Sequence, residues 1–201
     1  MKPARPMTDI IELTTPRLKL RQWRKQDRNI FACVNADPDV MRYYPALLST
    51  QESDALADRI ESLIADQGWG FWALEELTGG RFIGFTGLHR PDESLPCAPC
   101  VEIGWRLGKD YWGHGYATEA ATAALSVAFE RLDCEEVYAF TAVPNLRSQA
   151  VMQRLGMQDT GRNFDHPKVP EGHLLREHVL YSLGKEYWKD NIKQQGAGVY
   201  R

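Results

Sequence analysis

The sequence predicts an α/β fold in which a mixed β-sheet carries helices on both faces. Two features support this class. Strand-like segments follow one another between residues 69 and 107, and strands then alternate with helices through the second half of the chain. Successive strands favour antiparallel pairing, whereas alternation favours helical crossovers that lie on the faces of a sheet.

The apolar periodicity of the first 107 residues predicts a long interrupted strand, two helices and three further strands. Apolar side chains recur at helical spacing in both helices, and Gly68 is typical of the residue that ends the second one. Gly79 and Gly80 favour a tight hairpin between two of the strands. The predicted elements are a strand at 11–23, helices at 27–36 and 52–66, and strands at 69–77, 81–88 and 100–107.

The second half of the chain is predicted to alternate helices and strands. Asn145 is a typical N-terminal cap and Gly156 a typical C-terminal residue for the helix between them. The predicted elements are helices at 116–131 and 146–155 and strands at 136–142, 158–164 and 175–183. Residues 1–10 and 191–201 are expected to be tails, the first of them flexible, around a single domain at 11–190.

Composition limits the classes of function. The chain has 201 residues, is 43% apolar and has a net charge of −3 without a basic stripe, so nucleic acid is not expected as a direct partner. It shows neither the pattern of a signal peptide nor an apolar run of membrane-spanning length, so a cytoplasmic protein without a membrane partner is expected. Its Cys97-x-x-Cys100 pair lacks a second pair at zinc spacing, and no metal site is expected.

The turn around Gly113 and Gly115 is the strongest candidate for a ligand site. Glycine lets the backbone approach a ligand closely, and the helix predicted to start at Tyr116 directs unpaired amides and the positive end of its dipole at the turn. The lysine of a P-loop and the third glycine of a dinucleotide fold are both absent, which disfavours ATPases and dehydrogenases. A plain connection between a strand and a helix is the structural alternative.

Four segments in consistent order resemble the GNAT N-acetyltransferase superfamily, particularly the branch that includes the ribosomal-protein N-terminal (Rim-type) acetyltransferases. The segments are LTTPRL at 13–18, FIGFTGL at 82–88, EIGWRLGKDYWGHGYATEA at 102–120, and 145–157 with Asn145, Ser148 and RLGM. The resemblance implies a central, mostly antiparallel sheet of six to seven strands with a splayed central strand pair, flanked by about four helices.

The same resemblance implies acetyl-coenzyme A as co-substrate. The pantetheine arm would lie beside the splayed strand at 101–107 as an added strand, and amides of the glycine turn would hold the pyrophosphate. A solvated side chain is the alternative for His114, and a simple helix cap would equally explain Asn145. The implied cofactor-binding residues are Ile103, Trp105, Leu107, Trp112, Gly113, His114, Gly115, Tyr116, Ala117, Thr118 and Asn145.

The resemblance also assigns catalytic candidates. Glu102 would act as the base, directly or through water. The alternative is an ordinary strand carboxylate that is solvated or forms an ion pair, for instance with Arg106 on the same strand face. Many members of the superfamily have a tyrosine where this chain has Met152, so Ser148 is the candidate proton donor to the leaving thiolate. The alternative for Ser148 is a residue of the capping-box type near a helix start.

The acceptor is expected to be a primary amine that attacks the thioester directly in a ternary complex, and could be a protein N-terminus or a small molecule. Segments 41–45 and 165–174 are expected to determine its identity, with Tyr43, Tyr44 and Trp72 as candidate contacts unless they serve in the core. The oligomeric state is expected to be a monomer or homodimer. The alternatives are a non-catalytic acyl-coenzyme A sensor, supported only by Met152, and an unrelated nucleotide-binding enzyme.

Overall fold

The computed structural model describes residues 9–193 and contains one sheet of nine strands. The strand order is β1-β2-β3-β4-β5-β6-β9-β7, with β8 also paired to β9. Among these strands β5 and β6 are the only parallel neighbours. The strands are β1 Leu13–Thr14, β2 Leu18–Arg21, β3 Phe71–Glu76, β4 Arg81–His89, β5 Val101–Leu107, β6 Glu136–Ala142, β7 Gln158–Asp159, β8 Phe164–Asp165 and β9 Glu177–Gly184.

Five α-helices accompany the described part of the sheet. Helices α1 and α2 pack on each other and on β4 and β3, whereas α3 packs on β4, β5 and α4. The π-helical segments Val127–Arg131 and Lys189–Lys193 continue α3 and α5. The helices are α1 Asp27–Ala36, α2 Thr50–Gln67, α3 Tyr116–Ser126, α4 Leu146–Arg154 and α5 Lys185–Trp188.

The expected mixed, mostly antiparallel sheet with a splayed central pair is confirmed. The described residues form nine strands and five α-helices, however, where six to seven strands and about four helices were expected. Helix α2 begins two residues early because the Ser49 hydroxyl and the Glu52 carboxylate form a capping box. The strand predicted at 158–164 is divided into β7 and β8, and α5 was not predicted. Residues 1–8 and 194–201, which make up most of the two expected tails, lie outside the described residues.

An aromatic cluster joins α1 to the sheet. The rings of Trp23 and Phe31 have centroids 4.8 Å apart, and Phe82 and Phe85 of β4 lie at 6.2 and 5.9 Å from Phe31. All four side chains are buried. Because each aromatic ring buries a large apolar area, this cluster fixes α1 against the strand that neighbours β5.

A buried ion network fixes the start of α1. Both Nη atoms of Arg21 donate to the Asp27 carboxylate, at 2.7 and 2.9 Å, and its Nε donates to Glu75 at 2.7 Å. The side chains of Arg21 and Asp27 are each 1% exposed. Asp27 also accepts from the Arg24 amide, at 2.7 Å, so the network joins β2, β3 and the first turn of α1.

Replacing Asp27 should strongly destabilise the protein. The Asp27→Asn variant leaves the buried Arg21 without its bidentate partner, and we expect a loss of about 3 kcal/mol or more in the free energy of unfolding, measured with urea. The control is Asp58→Asn, whose carboxylate pairs with Arg28 but is 69% exposed. It should cost less than about 1 kcal/mol. Equal losses in the two variants would contradict the dominance of the buried network.

Candidate active site

The parallel strands β5 and β6 separate soon after they meet. Their pairing is confined to Val101 with Val137 and Glu102 with Tyr138, although β5 continues to Leu107. On its other edge β5 pairs with β4 from Glu102 through Leu107. The β5 backbone groups that face β6 beyond Glu102 therefore lack a strand partner. A cavity of about 1170 Å³ is lined by both strands and by residues of α3 and α4.

The turn at the wide end of this cavity has the geometry of an anion site. Gly113 and Gly115 both adopt φ 78°, the left-handed region that favours glycine. Gly115 is the N-cap of α3 and supplies no side-chain hydrogen bond to the first turn. The amides of that turn are therefore available to a ligand, and the helix dipole favours a negative charge. This geometry fits the pyrophosphate of coenzyme A.

The turn is held in place by the segment that connects β1 to β2. The Arg17 guanidinium donates to the His114 carbonyl at 2.9 Å and to the Glu119 carboxylate at 2.6 Å. The Thr15 hydroxyl donates to the other Glu119 oxygen, also at 2.6 Å. Arg17 thereby balances the charge of Glu119. The conformation of the turn is held by these protein contacts and does not need a bound ligand to maintain it.

Most of the predicted cofactor-binding residues line the cavity. His114 does not: its carbonyl contacts Arg17 and the residue is exposed. Asn145 caps α4 by accepting from the Ser148 amide at 3.3 Å, and its amide donates to the Thr141 hydroxyl at 2.9 Å, so it is both a cap and a cavity residue. The other lining residues of this group are Ile103, Trp105, Leu107, Trp112, Gly113, Gly115, Tyr116, Ala117 and Thr118.

Glu102 lies in the cavity without a charged partner. Its Oε2 is buried and has no hydrogen-bond partner, and within residues 9–193 no cation lies within ion-pair distance of it. Arg106 instead donates to the Asn35 side chain, so the ion pair considered from the sequence is not formed. Burial raises the pKa of Glu102 to about 7, and Lys168 opposes this shift. A carboxyl that titrates near neutrality suits a general base.

The helix α4 presents Ser148 and Met152 to the cavity. Ser148 lies in the first turn of α4 and is half-buried, and in the described part of the chain its hydroxyl makes no hydrogen bond. Met152 is 1% exposed and stands where the resemblance noted from the sequence would place a tyrosine. Of these two residues, only Ser148 carries a proton that could be donated.

The half of the cavity around Tyr43, Tyr44 and Glu102, where the acceptor is expected and which we call the acceptor half, differs in part from the prediction. Tyr43 and Tyr44 line it, whereas Trp72 lies in the core, fully buried, with its indole donating to the Ile11 carbonyl at 2.7 Å. Trp72 is therefore a core residue, which is the alternative considered from the sequence. A second cavity of about 700 Å³ adjoins the first and shares several of its lining residues. The residues shared by both cavities are Tyr44, Leu56, Phe71, Glu102, Arg106, Phe140, His166 and Lys168.

Two histidines, His166 from the expected acceptor segment 165–174 and His178 from β9, lie beside each other in the wall of the larger cavity. The rings of His166 and His178 have centroids 4.8 Å apart, and both residues line the larger cavity. Burial, with His178 and Lys168 nearby, lowers the pKa of His166 to about 4.

Across the described residues, no three His, Cys, Asp or Glu side chains are grouped to hold a metal ion. None of the described helices is both long and apolar enough to cross a membrane.

Comparison with known families identifies the domain that carries this cavity. Residues 17–158 match the sequence profile of the family described as an acetyltransferase (GNAT) domain. The chain belongs to the GNAT acetyltransferase family. Members of this family use acetyl-coenzyme A and act on amine acceptors, and this chain is a GNAT N-acetyltransferase.

Individual relatives agree with this family. This N-acetyltransferase is 28% identical over 183 residues to the FsC-acetyl coenzyme A-N(2)-transacetylase of Aspergillus fumigatus, covering 88% of this chain and 77% of that protein. A GNAT-family acetyltransferase structure from Bacillus anthracis superposes with a TM-score of 0.73 at 21% identity, over 88% of this chain and 99% of that chain. Mycobacterium smegmatis RimJ in complex with CoA-disulfide gives a TM-score of 0.70 at 17% identity, over 96% and 95%.

The buried Glu102 carboxyl should make the stability of this enzyme depend on pH. Its folded-state pKa of about 7 exceeds the ordinary value of 4.5, so the folded state binds more protons between these two values. The stability that this carboxyl contributes is present below pH 4.5 and is lost as the pH rises to about 7. The full loss corresponds to about 3 kcal/mol.

The Glu102→Gln variant removes this titration and should become more stable relative to the wild type as the pH rises from 5 to 8. Urea unfolding at both pH values measures the difference. The matched control is Glu135→Gln, whose side chain is 84% exposed and which should follow the wild type. A Glu102→Gln profile parallel to the wild type would show that Glu102 ionises normally in the folded protein.

Proposed function

We propose that this enzyme acetylates a primary amine by direct attack of the amine on acetyl-coenzyme A in a ternary complex. The observation that carries the proposal is the separation of β5 from β6, which leads from Glu102 to the glycine turn. The cavity holds a carboxyl for the amine at one end and an anion site for the pyrophosphate at the other. In this proposal residues 11–190 act as a single domain.

The cofactor half of the cavity binds and orients the donor. Amides at the start of α3 bind the pyrophosphate, and the backbone of β5 beyond Glu102 pairs with the pantetheine arm as an added strand would. Acetyl-coenzyme A supplies an electrophilic thioester carbonyl carbon. A β5 amide stabilises the negative charge that develops on its oxygen, an interaction worth about 2.7–4 kcal/mol in a comparable oxyanion hole.

Glu102 and Ser148 move the protons. Glu102 removes a proton from the attacking amine, directly or through water, as the nitrogen bonds to the carbonyl carbon. The bond between that carbon and sulfur then breaks, and Ser148 passes its hydroxyl proton to the departing thiolate while its oxygen takes a proton from solvent. Glu102 returns its extra proton to solvent, so both side chains end in their starting states. An α-amine has a pKa of about 7.7–8.0, against about 10.4 for lysine, so a carboxyl with a pKa near 7 is better matched to an α-amine.

Several features support placement in the Rim-type branch. The segment 13–18, the aromatic pair Tyr111 and Trp112, and Ser148 match the branch, and the RimJ structure shares the fold. The acceptor in this placement is a protein N-terminus or a small-molecule amine. We also propose that the enzyme is cytoplasmic and a monomer or homodimer.

A panel of amines and peptides tests the function. We expect acetyl-coenzyme A binding by calorimetry and release of free coenzyme A thiol when a suitable amine is added, with the mass of the acceptor increased by one acetyl group. Tight binding of acetyl-coenzyme A without turnover of any amine would favour the sensor alternative. Thermal stabilisation by ATP or NAD but not by acetyl-coenzyme A would favour an unrelated nucleotide enzyme.

The role of Glu102 predicts a pH-dependent rate. With an acceptor whose amine stays neutral over the whole range, kcat/KM should rise through a pH of about 7 as Glu102 loses its proton. Glu102→Gln should abolish this rise and lower kcat/KM by about 10²-fold or more. A variant that retains the rise would remove Glu102 from proton transfer.

Replacing Ser148 should affect turnover more than binding. Ser148→Ala should lower kcat by about 10²-fold, since the leaving thiolate loses its proton donor, while the acetyl-coenzyme A Kd stays within about twofold. The control is Ser126→Ala, because the Ser126 hydroxyl bonds the Thr122 carbonyl within α3 at 3.3 Å. An unchanged kcat in Ser148→Ala would exclude this donor.

A further inference from the structure

We infer that Arg106 forms a carboxylate-binding subsite in the acceptor half of the cavity, so that the preferred acceptors are amines carrying a carboxylate. The inference rests on the proposed amine acetylation and specifies its substrate class. It is carried by the position of Arg106, by the contacts that fix it, and by the lack of a counter-ion beside it.

Arg106 lies on the same strand face as Glu102. The two residues are four positions apart on β5, about 13 Å along an extended backbone, and both line the two adjoining cavities. Gly104 between them carries no side chain, and the Phe71 ring covers it closely, with Cε1 3.2 Å from where a Cβ would stand. A ligand whose amine lies at Glu102 would therefore extend over the apolar surface of Gly104 and Phe71 towards the Arg106 guanidinium.

The Arg106 guanidinium is fixed by uncharged neighbours. Its Nη1 donates to the Asn35 side-chain oxygen at 2.6 Å, and the fully buried Asn35 in turn donates to the Ser53 hydroxyl at 2.8 Å. The guanidinium also lies 4.2 Å from the centroid of the Tyr44 ring. Helices α1 and α2 thus position the cation without neutralising it.

Among the described arginines that are buried or half-buried, Arg106 is the one without a carboxylate partner. Arg21 and Arg28 each pair with two acidic side chains. Across residues 9–193 no carboxylate lies within ion-pair distance of Arg106, and its Nε is buried without a hydrogen-bond partner. Desolvating a cation without a counter-ion is costly, and a guanidinium has donors to spare for a bidentate carboxylate. A ligand carboxylate would supply the missing counter-ion and would accept hydrogen bonds from the unused donors of the guanidinium.

The remaining charges around the acceptor half also favour an anionic ligand. Lys168 lines both cavities and Arg59 lines the smaller one. Glu52 of the smaller cavity is engaged by Ser49 in the capping box, and Asp92 lies 3.7 Å from Lys168. The carboxylate could belong to a free amino acid or to an acidic first residue of a peptide.

The test compares acceptors that differ only in one carboxylate. With kcat/KM calculated on the concentration of neutral amine, the wild type should be about tenfold to 100-fold more efficient with amino acids than with their amides, or with peptides beginning with Glu than with Gln. Whichever pair shows the preference identifies the source of the carboxylate. Arg106→Gln should bring the ratio close to one while the acetyl-coenzyme A Kd stays unchanged. Arg28→Gln, a half-buried arginine outside the cavities, is the matched control and should keep the wild-type ratio.

A binding measurement separates this inference from the proposed function. Calorimetry in the presence of coenzyme A should show N-acetylated amino acids, or N-acetylated peptides beginning with Glu, binding more tightly than their uncharged counterparts, even if no amine is turned over. Arg106→Gln should remove this difference, and Arg106→Lys, which keeps the charge but loses the bidentate geometry, should reduce it. Equal binding of acid and uncharged counterpart in both sets to the wild type, or equal losses for acid and amide in Arg106→Gln, would overturn the subsite.

Discussion

The functional geometry of this protein depends on β5 being paired along one edge and open along the other. Its antiparallel pairing with β4 continues to Leu107, whereas its parallel pairing with β6 ends at Glu102. Buried backbone groups without partners are unfavourable, so the open edge is stable only if solvent or a ligand supplies hydrogen bonds. The cavity, the glycine turn and the start of α4 are all arranged around this edge. The end of β5–β6 pairing at Glu102 removes hydrogen bonds from the sheet, and it also leaves an open strand edge to which an extended ligand can bind.

The fold was largely predictable because its determinants are local. Residues 27–36 and 136–142 were predicted with the bounds that the structure has, since apolar spacing and end signals lie within each segment. The glycine turn was predictable for the same reason, because the left-handed backbone at positions 113 and 115 favours glycine, and both positions are glycine in the sequence. The early start of α2 could also have been predicted, because Ser49 and Glu52 have capping-box spacing.

The acceptor half of the cavity was less predictable because its determinants are contacts between distant segments. Trp72 and Phe71 are adjacent aromatic residues on β3, yet the first is buried in the core and the second lines the cavity. Arg106 resembled a partner for Glu102 by strand period, but Asn35, seventy-one residues away, directs it elsewhere. The type and spacing of residues in a strand do not show which face of that strand a helix from another part of the chain will cover. The charge state of Glu102 likewise depends on burial that only the assembled structure creates.

The contacts of Glu119 have a consequence for the order in which the protein assembles. Thr15 and Arg17 reach this carboxylate across 104 and 102 residues of chain. Contacts of such long range form slowly, because chain entropy is lost before the contact is gained. A growing polypeptide that has emerged only as far as β4 holds the β1–β2 connection but lacks the glycine turn that this connection supports. The glycine turn is thus anchored only after more than half of the chain has been made, when Glu119 becomes available to the β1–β2 connection.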